Sequence, residues 1–126
     1  MNVVLWVLQI LLGLYFIAVG VLHFIVPPGL PAPMQWMYEL PTWLHYLSGT
    51  AEILGGLGLI LPGLTRIQTR LTPLAALGLI LVMLGAAVFH ITQGEYTNIV
   101  QNLFLAALLA FIAYGRLRLH PLPERT

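Results

Sequence analysis

Four apolar stretches, each long enough to cross a membrane, decide what this 126-residue chain can fold into. A helix needs about 20 residues to span the ~30 Å hydrocarbon core of a bilayer. The stretches cover residues 2–26, 42–61, 73–92 and 97–115. Because 60% of the residues are hydrophobic and only 7% are charged, the chain cannot cover a water-soluble core with polar surface. The sequence therefore predicts an all-α integral membrane four-helix bundle, with residues 1–126 forming a single domain.

The first apolar stretch is predicted to be retained as a helix, and a loop is predicted after it. Residues 2–26 lack the basic start of a secretory signal and form a longer apolar run than a signal does. Residues 27–41 contain five prolines, which prevent a continuous helix, and also Trp36 and Tyr38, which are typical of membrane–water interfaces. We therefore expect an interfacial loop over 27–41.

Prolines also suggest helix boundaries further along the chain. Pro62 and Gly63 are predicted to end the second span, and Pro73 to lie in the first turn of the third, where a missing backbone N–H is tolerated.

The distribution of arginine predicts the orientation. Every basic side chain lies either between spans two and three or after span four, whereas the other two loops carry only Glu39 and Glu95. By the positive-inside rule, both termini, the middle loop and a basic tail over 116–126 are predicted to be cytoplasmic. The protein is expected to be a multi-pass protein of the cytoplasmic membrane, or inner membrane, if its source is bacterial. The basic side chains are Arg66, Arg70, Arg116, Arg118 and Arg125.

One carboxylate lies inside the second span. Glu52 is about 15 Å from the start of that helix, which places it near the bilayer midplane. An ionised carboxylate there costs about 2.5 to 3.5 kcal/mol, so Glu52 must be neutralised, paired or used. A purely structural role, as a protonated carboxyl that donates an interhelical hydrogen bond, is one possibility. A role in ligand binding or proton transfer is favoured, because ionisable groups within membranes are usually functional.

Helical spacing predicts a seam of small and polar residues on each of the first two helices. Small residues let membrane helices approach closely, which favours a compact bundle. His45 is otherwise interpreted as an interfacial residue without a special role. The two seams are Gln9, Gly13, Phe16, Gly20 and His23 on the first helix, and His45, Gly49, Glu52, Gly56 and Leu59 on the second.

A polar site is predicted in the extracytoplasmic half of the bundle. Side chains lean toward the N-terminus of their own helix, so Glu52 leans outward while His23 and His90 lean inward. Asn98 and Asn102, one turn apart on the fourth helix, belong either to this site or to helix–helix packing. The predicted site contains Glu52 and His90 as catalytic residues and His23, Asn98, Asn102, Phe16 and Phe89 as ligand-binding residues.

Composition excludes several functions. A net charge of +1 gives no basis for nucleic-acid binding. Without cysteine, the chain has no disulfide, thiolate metal site or dithiol relay of its own. Histidines with a carboxylate can hold iron, and paired histidines can hold haem, but the spacings here match neither motif. Iron and haem are therefore less favoured as cofactors than a quinone, and no residue is assigned to a metal site.

Five segments carry a resemblance to a known family: Gly20–Phe24, Ala51–Leu59, Leu81–His90, Asn98–Asn102 and Tyr114–Arg116. In this order they resemble the DoxX-like family of small four-helix membrane proteins, over nearly the whole chain. The resemblance implies a four-helix fold. Some members are described as membrane subunits of oxidoreductases that pass electrons to quinone, and most have no assigned activity.

Two functional hypotheses follow. The first is a membrane protein that binds an apolar molecule with a polar head, such as a quinone or isoprenoid, and belongs to a redox system in which a partner supplies the electrons. The donors beside Phe16 and Phe89 suit a quinone, and Glu52 is suited to proton transfer. The alternative is a non-catalytic accessory or assembly subunit whose glycine-rich faces pack against a partner subunit or a second copy.

Overall fold

The structure is a computed structural model that describes residues 1–124. All elements of regular secondary structure in this range are helices. Four helices are long and apolar enough to cross a membrane, in agreement with the sequence. Arg125, part of the predicted basic tail, lies outside the described residues. The helices are α1 (Asn2–Ile25), α2 (Thr42–Thr65), α3 (Leu71–Gln93) and α4 (Tyr96–Tyr114), with a 3₁₀ helix at Ala32–Tyr38 and a π-helical segment at Gly115–Leu119.

Helix α2 does not end at Pro62, as the sequence had suggested, but continues to Thr65. Proline has no N–H to donate to the carbonyl four residues earlier, here that of Gly58. The hydroxyl of Thr72 on α3 donates a hydrogen bond of 2.8 Å to this carbonyl. A side chain of the neighbouring helix thus satisfies the group that Pro62 leaves free, and the helix can continue.

Helices α1 and α2 pack along the two seams that the sequence predicted, all of whose members are buried. A Cβ atom added at Gly49 would lie 2.8 Å from the carbonyl oxygen of Gly20, and one at Gly56 would lie 2.6 Å from that of Gly13. Both distances are shorter than a carbon–oxygen contact allows, so glycine is required for this approach of the two backbones.

An apolar core joins the four helices. Its largest members with almost no exposed surface are Phe16, Leu59, Leu79, Leu109 and Ile112. Large apolar side chains on the outer faces, such as Leu54, Leu81 and Val100, are exposed. In a membrane-spanning bundle these faces contact lipid.

The two ends of the bundle differ. Arg116 Nη1 donates to Asn2 Oδ1 at 2.7 Å, and Thr69 Oγ1 donates to the carbonyl of Leu122 at 3.1 Å. These contacts bring the beginning of the chain, the α2–α3 connection and the segment after α4 together at one end, here called the termini end. The 3₁₀ helix and the α3–α4 turn lie at the other, here called the far end.

Candidate functional site

A cavity of about 400 Å³ lies between α2 and α3 toward the far end. Its walls are mainly apolar, with three ionisable side chains and one tryptophan among them, and this combination is typical of small-molecule sites. The lining residues are His23 from α1; Trp36 and Leu40 from the loop; Leu44, Leu47, Ser48, Ala51 and Glu52 from α2; and Leu81, Val82, Gly85, Ala86, Phe89 and His90 from α3.

Small side chains on the two facing helices create this space. Ser48 and Ala51 on α2 face Gly85 and Ala86 on α3 across the cavity. A Cβ atom at Gly85 would have no heavy atom within 4 Å, so larger side chains on this wall would fill the cavity instead of displacing the helices.

The cavity opens sideways between α2 and α3. Leu47 and Leu81 belong to its lining and are also among the most exposed large apolar residues, at 61% and 70%. Because exposed apolar faces of the spanning helices contact lipid, a molecule dissolved in the bilayer can enter here without crossing water.

Glu52 and His23 form the polar wall on the α1–α2 side. Glu52 is 4% exposed, and its Oε2 atom lies 3.3 Å from His23 Nε2. The contact has the length of an ion pair without the alignment of a hydrogen bond, and Oε2 has no hydrogen-bond partner within residues 1–124. A buried oxygen left without a partner costs about 1 to 3 kcal/mol, which a polar group of a ligand can recover.

His45 forms a hydrogen bond with His23 on the side away from Glu52. The two Nδ1 atoms are 2.8 Å apart, and His45 Nε2 is 2.8 Å from the backbone carbonyl oxygen of Met37. Both imidazoles are buried. The loop is therefore tied through two histidines to the carboxyl group in the cavity wall.

His90 forms a second polar wall on the α3 side. Its Nδ1 atom is 2.9 Å from the carboxylate of Glu95, which lies in the turn before α4. Trp36 lies between the two histidine walls, with ring centroids 5.0 Å from His90, edge to face, and 5.9 Å from His23. The two walls thus face the same space from different helices.

The loop folds over the far end of the cavity. Tyr38 donates its hydroxyl proton to the carbonyl of Pro27 at 2.8 Å and accepts from the N–H of Leu30 at 3.0 Å, while Gln35 donates to the Leu30 carbonyl at 3.3 Å. The sequence had suggested that the tryptophan of this loop anchors it at the headgroups, but the structure turns Trp36 inward to the cavity.

Four of the seven residues predicted for the site line this cavity: Glu52, His90, His23 and Phe89. Phe16 lies in the apolar core instead, against Tyr15 at 5.3 Å between ring centroids. Asn102 is buried, with no hydrogen-bond partner for Nδ2 within the described chain, and Asn98 is half-buried; neither is among the lining residues.

Trp36 and His45 are site residues that the sequence reasoning missed. His45 lies seven residues before Glu52 on the same seam, which was a usable signal. The sequence contained no signal for Trp36, because its inward orientation depends on how the loop folds. In the part of the chain that the structure describes, no three histidine or acidic side chains are grouped to hold a metal ion.

A second buried polar cluster lies at the termini end. Arg116, the first residue of the predicted basic tail, is only 3% exposed. Its Nε donates to Gln9 Oε1 at 2.6 Å, and its Nη1 donates to Asn2 Oδ1 at 2.7 Å and to the carbonyl of His120 at 2.8 Å. Gln9 in turn donates to the carbonyl of Leu59 at 2.8 Å. Neutral side chains and a carbonyl thus accept from Nε and Nη1, while Nη2 has no hydrogen-bond partner within residues 1–124.

No curated protein and no solved structure matches the chain. The model of the DoxX-like family matches residues 7–112, which include all of α2 and α3, most of α1 and α4, and the whole cavity lining. The sequence resemblance is therefore confirmed, and the chain belongs to the DoxX-like family.

Proposed function

We propose that this membrane protein binds a quinone-class molecule, a flat ring with two carbonyl oxygens and an apolar tail, in the cavity between α2 and α3. The observation that carries the proposal is Glu52, which belongs to the wall of an apolar cavity and whose buried Oε2 lacks a hydrogen-bond partner within residues 1–124. A protonated Glu52 can donate a hydrogen bond to a carbonyl oxygen of the ligand, which removes the cost of the unsatisfied atom.

The residues present fit such a ligand on three counts. The leucines, Val82 and Phe89 supply an apolar slot for the ring and the first part of the tail. Glu52 with His23 on one side, and His90 on the other, supply hydrogen-bonding groups for two carbonyls. The opening between Leu47 and Leu81 lets the remainder of the tail extend into lipid.

Within this proposal each ionisable residue has a role. Glu52 and His90 hold protons at the cavity wall, and His23 and Glu95 orient these two groups. A bound quinone supplies the capacity to accept electrons and protons at its oxygens. Because the chain contains no cysteine, the electrons must come from a partner or a cofactor bound elsewhere. By the positive-inside rule, the cavity lies in the extracytoplasmic half of the membrane.

Trp36 offers a direct test of binding, because quinones quench tryptophan fluorescence at short range. The chain has three tryptophans, so Trp6→Phe and Trp43→Phe leave Trp36 as the single reporter. Titration of this variant in lipid nanodiscs with a short-chain ubiquinone should give saturable quenching. Quenching that rises linearly with the amount of quinone in the lipid would show partitioning only and would contradict the proposal.

Two glycines of α3 provide a matched pair of cavity variants. A Cβ atom has open space at both Gly85 and Gly78, but only Gly85 belongs to the cavity; Gly78 lines a separate groove nearer the termini end. Gly85→Phe should abolish the saturable quenching, whereas Gly78→Phe should leave it unchanged. Equal binding in both variants would exclude this cavity as the site.

A further inference from the structure

A row of polar contacts, two of them hydrogen bonds, leads from the cavity wall to the loop. It runs from Glu52 Oε2 to His23 Nε2 at 3.3 Å, from His23 Nδ1 to His45 Nδ1 at 2.8 Å, and from His45 Nε2 to the carbonyl oxygen of Met37 at 2.8 Å. The three side chains are all buried, so water does not compete for these contacts.

The Met37 carbonyl fixes the direction of this row. A carbonyl oxygen only accepts hydrogen bonds, so His45 Nε2 must carry a proton. A neutral imidazole has one N–H, and His45 Nδ1 is then an acceptor. His23 must therefore donate from Nδ1, which leaves its Nε2 atom, facing Glu52, as the position whose protonation is still open.

One proton is required between His23 and Glu52. Without it, the lone pair of Nε2 would face a carboxylate in a buried place, which is electrostatically unfavourable. With it, the three side chains together are neutral, with the proton on either Glu52 or His23. If the proton were on His45 instead, the buried cation would lie one ring further from the Glu52 carboxylate, and the weaker attraction would offset less of its desolvation cost.

We propose that His45 is a positioning residue, which holds His23 as the Nδ1–H tautomer and so keeps one exchangeable proton at the cavity wall, between His23 and Glu52. The acceptor that meets this proton is the ligand of the proposed function, and in that respect the inference rests on it. The tautomers themselves are a property of the ligand-free protein. The loop then controls, through Met37 and His45, which nitrogen of His23 carries the ring proton.

The tautomers can be read directly by nitrogen NMR. Protein with ¹⁵N-labelled histidine rings, in nanodiscs without added quinone, gives long-range ring correlations that distinguish Nδ1–H from Nε2–H. His90→Gln, His120→Gln and His45→Asn identify these three histidines by loss of their signals, and the remaining signals belong to His23. We expect Nε2–H for His45 and Nδ1–H, or the doubly protonated form, for His23. A His23 that carries its only proton on Nε2 would overturn the assignment.

Two variants of His45 separate a positioning role from a packing role. Both lose the imidazole, but the side-chain carbonyl of His45→Asn can still accept from His23 Nδ1, whereas His45→Leu has no acceptor. His23 should change to the Nε2–H tautomer in the leucine variant and keep Nδ1–H in the asparagine variant. An unchanged His23 tautomer in His45→Leu would contradict the proposal. If that variant does not fold, the wild-type and asparagine spectra still decide.

The result is separable from quinone binding. Saturable quenching of Trp36 together with an Nε2–H tautomer of His23 would refute this inference and leave the proposed function standing. The expected tautomers without saturable quenching would refute the proposed quinone binding and leave the tautomer assignment standing.

Discussion

Gly20 and Gly49 bring α1 and α2 so close that a methyl group on Gly49 would lie 2.8 Å from the Gly20 carbonyl oxygen. Membrane helices lack a hydrophobic driving force toward each other and depend on such close packing. Gly49→Ala should therefore destabilise the bundle by about 1 to 3 kcal/mol, the usual cost of overpacking. The check is thermal unfolding in detergent.

Gly78→Ala is the matched control for this variant. It adds the same methyl group to an α3 position with open space around it and should not lower stability. Equal losses in the two variants would mean that the close approach of α1 and α2 contributes nothing measurable.

Replacement of Glu52 separates its possible protonation states. Glu52→Gln preserves the shape of the side chain and a donor toward His23, so the free energy of unfolding should change by less than about 1 kcal/mol. Glu52→Lys puts a buried cation beside His23, and no carboxylate faces the new ammonium group. The free energy of unfolding should therefore fall by about 3 kcal/mol or more. Chemical unfolding in mixed micelles measures both. A glutamine variant as unstable as the lysine variant would indicate a carboxylate fully ionised in the native protein.

The Arg116 cluster gives a prediction at the termini end. Arg116→Met removes the donors to Gln9 and Asn2 and leaves Gln9 Oε1, in a residue with no exposed surface, without its partner. The cost should be about 1 to 3 kcal/mol in a thermal melt. Arg118→Met, on an exposed residue two positions later, is the control and should be neutral. Equal melting temperatures of the wild type, Arg116→Met and Arg118→Met would show that the buried guanidinium is not stabilising.

Topology can be tested because the chain has no native cysteine. Single cysteines at Ile67 in the α2–α3 connection and at Ala32 in the loop are both exposed in the structure. An impermeant thiol reagent should label Ile67→Cys only from the cytoplasmic side and Ala32→Cys only from the opposite side. Labelling of Ile67→Cys from outside would invert the proposed orientation, and the cavity would then face the cytoplasmic half.

Much of the architecture was accessible from the sequence, because hydrophobic length and helical spacing are local properties. The four spans and both glycine seams follow from them, and so does the burial of Glu52. Contacts made across the bundle were not accessible. The continuation of α2 past Pro62 depends on Thr72 of another helix, and the burial of Arg116 depends on Gln9, more than one hundred residues away.

The candidate site shows the same division. His23, Glu52 and His90 could be grouped from their depth and from the lean of helical side chains. The row through His45 to Met37 could not, since it requires the fold of a loop whose prolines exclude a helix but do not specify an alternative. The cavity could not be predicted either, because it requires Gly85 and Ala86 of α3 to face Ser48 and Ala51 of another helix.

The hydrogen bond from Thr72 to the carbonyl that Pro62 leaves free has a consequence for biosynthesis. Thr72 belongs to the next helix, and an isolated α2 in lipid would expose one backbone carbonyl with neither a helical nor a water partner. Such a group costs several kcal/mol in hydrocarbon. Helices α2 and α3 are therefore expected to leave the translocon together, as a helical hairpin, and not one after the other.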